Sequence, residues 1–195
     1  MRLALFPSQS LRLGSSEISR ERLARVVKLA AEKSNWDKPL RQTDRLYGRG
    51  IACNVYDVDC FVAQVAEVSV SRAFDDIRVH RVVCAVDCGF PINPAGIEGQ
   101  AESGITWGLS AALHGKIDFR DGGAVQRSYR DFRVIRMNEA PIIETHIIAG
   151  AETPGGFGET AVPPTAPAVA NAVFAATGKR IRSLPITPEK LARPT

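Results

Sequence analysis

Residues 50–70, GIACNVYDVDCFVAQVAEVSV, decide the fold class. They are dense in β-branched and aromatic residues, which favour strands. In the second half, the even-numbered residues from Val62 to Val70 alternate with Ala63, Val65, Glu67 and Ser69, a pattern typical of a strand. After the turn AFDD (73–76), IRVHRVVCAVDCG (77–89) predicts a second strand that pairs antiparallel with the first. The core of the fold is therefore a sheet.

Three helices flank these strands in the sequence. SRERLARVVKLAAEKSNW (19–36) predicts an amphipathic helix, because Leu23, Val26, Val27 and Ala30 follow the i, i+3, i+4, i+7 rule. Asn93 as a cap and Pro94 predict the start of a second, Gly/Ala-rich helix. PPTAPAVANAVFAATG (163–178) predicts a third helix. We expect an α+β fold, with a mixed, mainly antiparallel sheet packed against the Gly/Ala-rich helix and the C-terminal helix.

The remaining segments have weaker patterns. We expect irregular chain over 1–18, a polar loop or linker over 35–50, a hairpin over 116–132 with RDGGA as its turn, a strand over 141–150, and a short strand with a tail from 181. The first ten residues carry too short an apolar run for a signal peptide, and no segment is long enough to cross a membrane. We therefore expect a cytoplasmic chain by default, with an export signal on an upstream segment left open.

Composition sets further limits. A chain of 195 residues with 45% hydrophobic content can form one core or two small domains. The net charge is +4 and the basic residues are scattered, which argues against a nucleic-acid-binding surface.

The cysteines, histidines and paired carboxylates form no recognisable site. Cys53, Cys60, Cys84 and Cys88 lack metal-like spacing, and we interpret them as buried free thiols. We interpret His80, His114 and His146 as structural, because none has a second ligand at useful spacing, and so no protein metal site is expected. The pairs Asp57 with Asp59 and Asp75 with Asp76 lie in predicted turns and should be solvated.

The glycines of the second helix need an explanation. Each glycine inside a helix costs about 1 kcal/mol relative to alanine. Gly96, Gly99, Gly104 and Gly108 therefore indicate that something approaches this backbone closely. Tight packing against another element and a bound ligand both satisfy that requirement, and the sequence leaves the two alternatives open.

Glu159 is the candidate for chemistry. It follows Gly155, Gly156 and Gly158 and precedes the third helix. One interpretation is an acid that favours a helix start. The other is a general base, which a tight loop would hold against apolar surroundings with a raised pKa.

Two segments resemble the large subunits of molybdenum hydroxylases, the xanthine dehydrogenase and aldehyde oxidase family, most nearly of the isoquinoline 1-oxidoreductase β-subunit type. VDCGFPINPAGIEGQAESGITWGLSAAL (86–113) is similar to the family's D-x-G, N-P, Q-x-E-G-G and G-L series. The matching positions are Asp87, Gly89, Asn93, Pro94, Gln100, Glu102, Gly104, Gly108 and Leu109. GGFGETAVPPTAPAVANAVFAATGKRIRSLPI (155–186) resembles the family's closing G-x-G-E segment.

The resemblance implies a molybdopterin cofactor and an oxidation of an N-heteroaromatic or aldehyde carbon with oxygen from water. It implies that Glu159 is the general base. It also implies cofactor contacts at Gly99, Gln100, Gly156 and Gly158, with Gln100 as a hydrogen-bond donor. The implied partners are a small-molecule substrate, an iron–sulfur electron-transfer subunit and, if the subunit is split, its remainder.

The resemblance also sets the domain expectation. Residues 48–195 match the C-terminal portion of the cofactor-binding catalytic domain, whereas the tail and helix of 1–47 match weakly. Thr160 stands where the family often has proline, and Ser103 replaces a glycine. Family large subunits are several times longer than 195 residues, so the alternative is a non-catalytic truncated remnant or scaffold module without cofactor.

Overall fold

The computed structural model describes residues 10–13, 16–40, 43–57 and 59–192. In chain order the elements are strands β1 (Ser10–Leu13) and β2 (Ser16–Ser19), helix α1 (Arg20–Lys33), strands β3 (Leu46–Tyr56), β4 (Cys60–Val70) and β5 (Ile77–Asp87), helix α2 (Pro94–Leu113), strands β6 (Phe119–Arg120), β7 (Gly123–Ala124) and β8 (Ile142–Ile147), and helices α3 (Val162–Thr177) and α4 (Pro188–Ala192).

A four-stranded sheet organises the fold. Its order is β3-β4-β5-β8, with β3, β4 and β5 antiparallel and β8 parallel to β5. The predicted mixed, mainly antiparallel sheet with its two packed helices is confirmed, as is the antiparallel pairing of β4 with β5. The short pairs β1-β2 and β6-β7 lie outside this sheet, and β6-β7 is the predicted hairpin.

Helix α1 covers one face of the sheet. The Ser19 side chain caps the helix by accepting a hydrogen bond from the backbone N–H of Arg22 at 3.3 Å. The four predicted apolar positions are its buried residues, and they pack in one cluster with Phe61, Ala63, Val65 and Ala85 of the sheet. The amphipathic pattern therefore predicted both the helix and its buried side correctly.

Helices α2 and α3 cover the other face and form the larger core with β4 and β5. Because helices lie on both faces, β4 is buried at every position except Glu67. Successive side chains of β4 therefore point into two different apolar layers, one under α1 and one under α2 and α3, rather than alternating between core and solvent.

Helix α3 lies against the backbone of β3. A Cβ placed at Gly48 or Gly50 would fall inside 3.0 Å of α3 backbone atoms, a distance that real Cβ atoms essentially never show. Ala168, Ala172 and Ala176 supply the facing surface of α3. The tripeptide GRG at 48–50 and the alanine-rich helix therefore form a single close-packed contact.

The structure corrects three predicted segments. Residues 10–13 and 16–19 form a hairpin where irregular chain was expected; residues 1–9 lie outside the described part. Residues 46–50, predicted to be linker, begin β3 because they pack under α3. The strand expected after 181 is absent from the described residues, where α4 is the one regular element.

Candidate functional site

Glu159 lies in the loop that leads into α3, three residues before the first helical residue. Its carbonyl accepts a hydrogen bond from the backbone N–H of Val162 at 2.8 Å, and no side chain caps the helix. The Glu159 side chain is exposed. The prediction of a loop position is confirmed, whereas the predicted apolar surroundings are not present among the described residues of this chain.

The N-terminal side of this loop is fixed along the end of β5. The backbone N–H of Gly155 donates to the Cys88 carbonyl at 2.8 Å, and that of Phe90 donates to the Glu152 carbonyl at 3.0 Å. Gly89 permits this approach, because its φ is +74° and a Cβ there would collide with the Thr153 carbonyl. The glycine of the D-x-G match therefore serves the loop that carries Glu159.

The C-terminal side of the loop is fixed from the middle of the sheet. The Gln64 side-chain amide donates to the Ala161 carbonyl at 2.6 Å, and Gln64 Oε1 accepts from Thr165 Oγ1 at 2.9 Å. Both side chains are buried, and Thr160, next to Glu159, is fully buried as well. The loop is thus held at residues 155 and 161, and the segment between them is short.

That short segment presents free backbone donors. Within the described ranges, the N–H groups of residues 156–160 have no protein acceptor. Gly156 and Gly158 have open space where a Cβ would stand. Gly156, Gly158 and Glu159 are exposed, whereas Thr160 is buried. Free N–H groups on exposed residues beside an open surface suit a polar, anionic ligand.

Gln100 lies at the end of the α2–α3 contact that is nearer to the Glu159 loop. A Cβ at Gly104 would lie 3.1 Å from the Cβ of Ala161, and one at Gly108 would lie 2.7 Å from that of Thr165. The contacts advance in the same direction along both helices. Gln100, one turn before Gly104 on the same face of α2, therefore lies toward the residues that precede Ala161.

The two explanations of the glycine-rich helix both hold, at different positions. Gly104 and Gly108 pack against α3, whereas Gly99 has no atom within 4 Å of a Cβ placed on it. Gly99 and Gln100 are exposed. All four predicted cofactor contacts are therefore exposed: Gly99, Gln100, Gly156 and Gly158. The three glycines also have open space where a Cβ would stand.

Asp87 ties α1 to this end of the sheet. Its buried carboxylate lies 2.6 Å from Nη2 of Arg22 and 3.0 Å from Nη2 of Arg25, and it accepts from the Gly89 N–H at 3.3 Å. Burial by itself raises the pKa of Asp87. The Arg22 hydrogen bond, the Gly89 N–H and the two arginine charges outweigh burial, so the pKa lies below its usual range.

The thiols are suited to packing rather than to chemistry. Cys60, Cys84 and Cys88 are buried, as predicted, but Cys53 is exposed. Burial raises the pKa of Cys60 and of Cys84 to about 12, so neither thiol is a nucleophile near neutral pH.

The histidines occupy the predicted kinds of position. Nε2 of His80 shares a hydrogen bond of 2.7 Å with Ser69 Oγ, and the imidazole ring stacks on Tyr47. His80 is therefore a structural residue whose Nε2 has a hydrogen-bond partner. The Ser69 hydroxyl is fully buried and so cannot reach a substrate. Burial lowers the pKa of His80, of His114 at the end of α2 and of His146 in β8. Among the residues described, no group of three His, Cys, Asp or Glu side chains could hold a metal ion.

A cavity lies elsewhere in the described part of the chain. It has a volume of about 710 Å³ and is lined by the start of β5, the end of α2 and residues 133–142 and 186–189. Asp75 and Asp76 lie at its rim, where Asp76 pairs with Arg45 at 2.9 Å. None of the predicted site residues lines it, and it is at the end of β5 opposite to Asp87.

Sequence reasoning missed the residues that hold the Glu159 loop. Gln64 gives one signal, because it is the single amide in the apolar run of β4. The pairing of Asp87 with Arg22 and Arg25 joins residues 62 or more positions apart, which no local pattern indicates.

Comparison with known proteins shows the family to which this chain belongs. Residues 13–141 match the family model described as the molybdopterin cofactor-binding domain. The chain is 32% identical to a nicotinate dehydrogenase subunit of Pseudomonas putida over 89% of its length, and 32% identical to the β-subunit of isoquinoline 1-oxidoreductase from Brevundimonas diminuta over 85%. It covers 16% and 21% of those two relatives.

A solved structure shows the same fold. The chain superposes on quinoline 2-oxidoreductase from Pseudomonas putida 86 with a TM-score of 0.64 and 26% identity, covering 68% of this chain and 18% of that one. Over the described residues, no helix is both long and apolar enough to span a bilayer.

Proposed function

Because the chain belongs to the molybdopterin cofactor-binding domain family, we propose that it forms part of the catalytic subunit of a molybdenum-dependent hydroxylase, with Glu159 as its general base. The observation that carries the proposal is the loop of residues 155–161. It is fixed at both ends and exposes one carboxylate beside free backbone N–H groups.

The residues present fit the cofactor. A pterin with a phosphate group needs hydrogen-bond donors and close approach of backbone. The free N–H groups of the exposed residues Gly156, Gly158 and Glu159 and the open positions at Gly99, Gly156 and Gly158 provide both. Gln100 has an exposed side-chain amide, which we propose as a further donor. When bound, the cofactor supplies the oxidising chemistry, in which the oxygen comes from water.

The role of Glu159 is to accept the proton that the reaction releases. A base contributes only when it lies within hydrogen-bond reach of that proton, so its fixed position counts as much as its charge. The anchors at Cys88 and Ala161 restrict where Glu159 can lie. The exposed side chain would become enclosed by the parts of the enzyme that lie outside the 16–21% of the relatives that this chain spans.

The substrate class follows from the relatives. Two of their names specify nicotinate and isoquinoline, both N-heteroaromatic, and another relative is named an aldehyde oxidoreductase. We propose that this chain serves oxidation of an electron-poor carbon in a compound of those classes. We also propose an iron–sulfur electron-transfer subunit and the remainder of the large subunit as partners.

A second candidate is a scaffold module without cofactor. The exposure of the Glu159 side chain favours it. It predicts a protein that carries no molybdenum in any assembly.

Substitution Glu159→Gln in the intact hydroxylase tests the base. Loss of a general base costs about 100-fold or more in turnover, and the exposed position of Glu159 implies an unchanged melting temperature and molybdenum content. Glu152→Gln, an exposed glutamate of the same segment, is the matched control and should retain turnover. Unchanged turnover in Glu159→Gln would sink the base assignment.

A further inference from the structure

We propose that Gln64 is a positioning residue for Glu159. The inference rests on the proposed function and extends it from the base to the side chain that holds the base in place.

Gln64 is fully buried in β4, a central strand, on the face that α3 covers. Its Nε2 donates to the carbonyl of Ala161, two residues after Glu159, at 2.6 Å. Its Oε1 accepts from Thr165 Oγ1 at 2.9 Å, in the first turn of α3. One amide therefore joins the sheet both to the end of the Glu159 loop and to the helix that follows.

Burial of this amide has to be explained. The residues at alternate positions on the same face, Val62, Ala66 and Val68, are apolar and fully or almost fully buried. An apolar residue at position 64 would fill the space without the cost of burying an amide. Both functional atoms of the amide nevertheless form hydrogen bonds to the start of α3, at Ala161 and Thr165, besides the contact of Gln64 with the thiol of Cys84 on β5.

The loop needs this attachment. Gly156 and Gly158 give the loop conformational freedom. Among the described residues, none of the backbone N–H groups of residues 156–160 donates a hydrogen bond to a protein acceptor, so these groups do not fix the loop. Its position is set by the Gly155–Cys88 hydrogen bond on one side and by Ala161 on the other. The Thr165 hydroxyl also lies within hydrogen-bond distance of the Ala161 carbonyl, at 2.9 Å, and Asn54 Nδ2 reaches the Thr160 carbonyl at 3.5 Å. Gln64 makes the shortest of these contacts, so its loss should let the second fixed point shift, and Glu159 with it.

The chain contains a matched control. The Asn171 side-chain amide donates to the Ile51 carbonyl at 3.0 Å and so links α3 to the sheet in the same chemical way. It lies nine residues into the helix, far along α3 from Glu159. Loss of this amide should weaken the packing of α3 without displacing the loop.

The experiment compares Gln64→Leu, Thr165→Val and Asn171→Leu in the intact hydroxylase. Hydrogen exchange of the Val162 amide, whose acceptor is the Glu159 carbonyl, reports on the loop without any need for turnover. Turnover of isoquinoline, nicotinate and an aldehyde is measured in parallel as kcat and KM, and melting temperature reports on folding. Thr165→Val keeps the shape of the side chain, so it serves if Gln64→Leu does not fold.

Gln64→Leu should speed exchange at Val162 by about tenfold and lower kcat by about tenfold with KM unchanged, since a small misplacement of a base costs rate. Thr165→Val should change both in the same direction by less. Asn171→Leu should lower the melting temperature but leave both values unchanged.

Unchanged exchange at Val162 in Gln64→Leu would overturn the inference. So would equal effects in Gln64→Leu and Asn171→Leu, because the role would then be general stability. If Glu159→Gln is inactive while Gln64→Leu keeps its kcat, the positioning role alone fails. If Glu159→Gln keeps full turnover, the proposed function fails, and the two failures are therefore distinguishable.

Discussion

Gly48 and Gly50 on β3 face the backbone of α3, whereas Gly156 and Gly158 in the loop before α3 face open space. The same contrast divides α2, where Gly104 and Gly108 contact α3 and Gly99 contacts nothing within 4 Å. The first group lets two elements approach each other closely. The second group leaves open space beside the backbone, and two of its members, Gly156 and Gly158, lie within three residues of Glu159. The difference separates the part of the glycine pattern that builds the fold from the part available to a ligand.

Gly50→Ala should have the largest effect on stability. The new methyl group would collide with the backbone of α3, which can relieve the contact only if the helix moves off the sheet. We expect a loss of more than about 3 kcal/mol in the free energy of unfolding, or failure to fold. Gly156→Ala is the matched control and should stay within about 0.5 kcal/mol of wild type in urea unfolding. Equal losses in the two variants would break the comparison.

Asp87→Asn tests how much the ion pairs of Asp87 with Arg22 and Arg25, at the end of β5 beside the Glu159 loop, contribute to stability. The substitution removes a buried charge that pairs with Arg22 and Arg25, although asparagine can still accept hydrogen bonds. We expect a loss of about 2 kcal/mol at pH 7, less than for a complete break of a buried pair, because Arg25 reaches solvent.

The effect of pH on this variant has a definite sign. The pKa of Asp87 is lower in the folded protein than the unfolded value of about 3.9. Its charge therefore stabilises the protein fully above the unfolded pKa, and this stability is lost as pH falls through the folded pKa. Unfolding curves of wild type and Asp87→Asn should converge below about pH 4. A difference that stays constant down to pH 2 would contradict the ionic role.

Gly99→Ala should have the smallest effect on stability, and in the opposite direction. Alanine in an exposed helix interior is favoured over glycine by about 0.5–1 kcal/mol, and no neighbour opposes the methyl group at Gly99. The variant should therefore melt slightly higher than wild type. If Gly99 contacts the cofactor as proposed, the molybdenum content of the intact hydroxylase should fall, because the methyl group would occupy the space of that contact. A stabilised variant with full molybdenum content would remove Gly99 from the site.

The sequence predicted the elements that depend on local pattern, namely the helices and their ends. The apolar spacing of α1, the Asn93–Pro94 start of α2 and the Gly178 end of α3 all appear in the structure. Strand β3 begins at Leu46, inside the segment predicted to be a linker, because residues 48–50 look like a small, polar turn in the sequence but pair with Ala66, Glu67 and Val68 of β4 and pack under α3. The burial of both faces of β4 also depends on long-range packing. Helix α1, which lies about 30 residues earlier in the chain, covers the face that carries Phe61, Ala63 and Val65.

The proposed site residues come from the motif resemblance and stay a prediction, whereas most of the contacts that hold the Glu159 loop have no local sequence signal. The motif resemblance indicated Glu159, Gln100 and the open glycines. The amide link from Gln64 to Ala161 spans 97 positions and depends on how α3 crosses the sheet, which neither periodicity nor motif can supply.

The most direct test of the account is the molybdenum and pterin content of this chain, purified with the remainder of the large subunit and the iron–sulfur subunit. Molybdenum is measured by elemental analysis and pterin by fluorescence after oxidation. A cofactor face built from Gly99, Gln100 and the Glu159 loop predicts stoichiometric molybdenum and pterin, reduced in Gly99→Ala and retained in Glu159→Gln. A stable assembly that contains neither molybdenum nor pterin would contradict the account and identify the chain as a scaffold module.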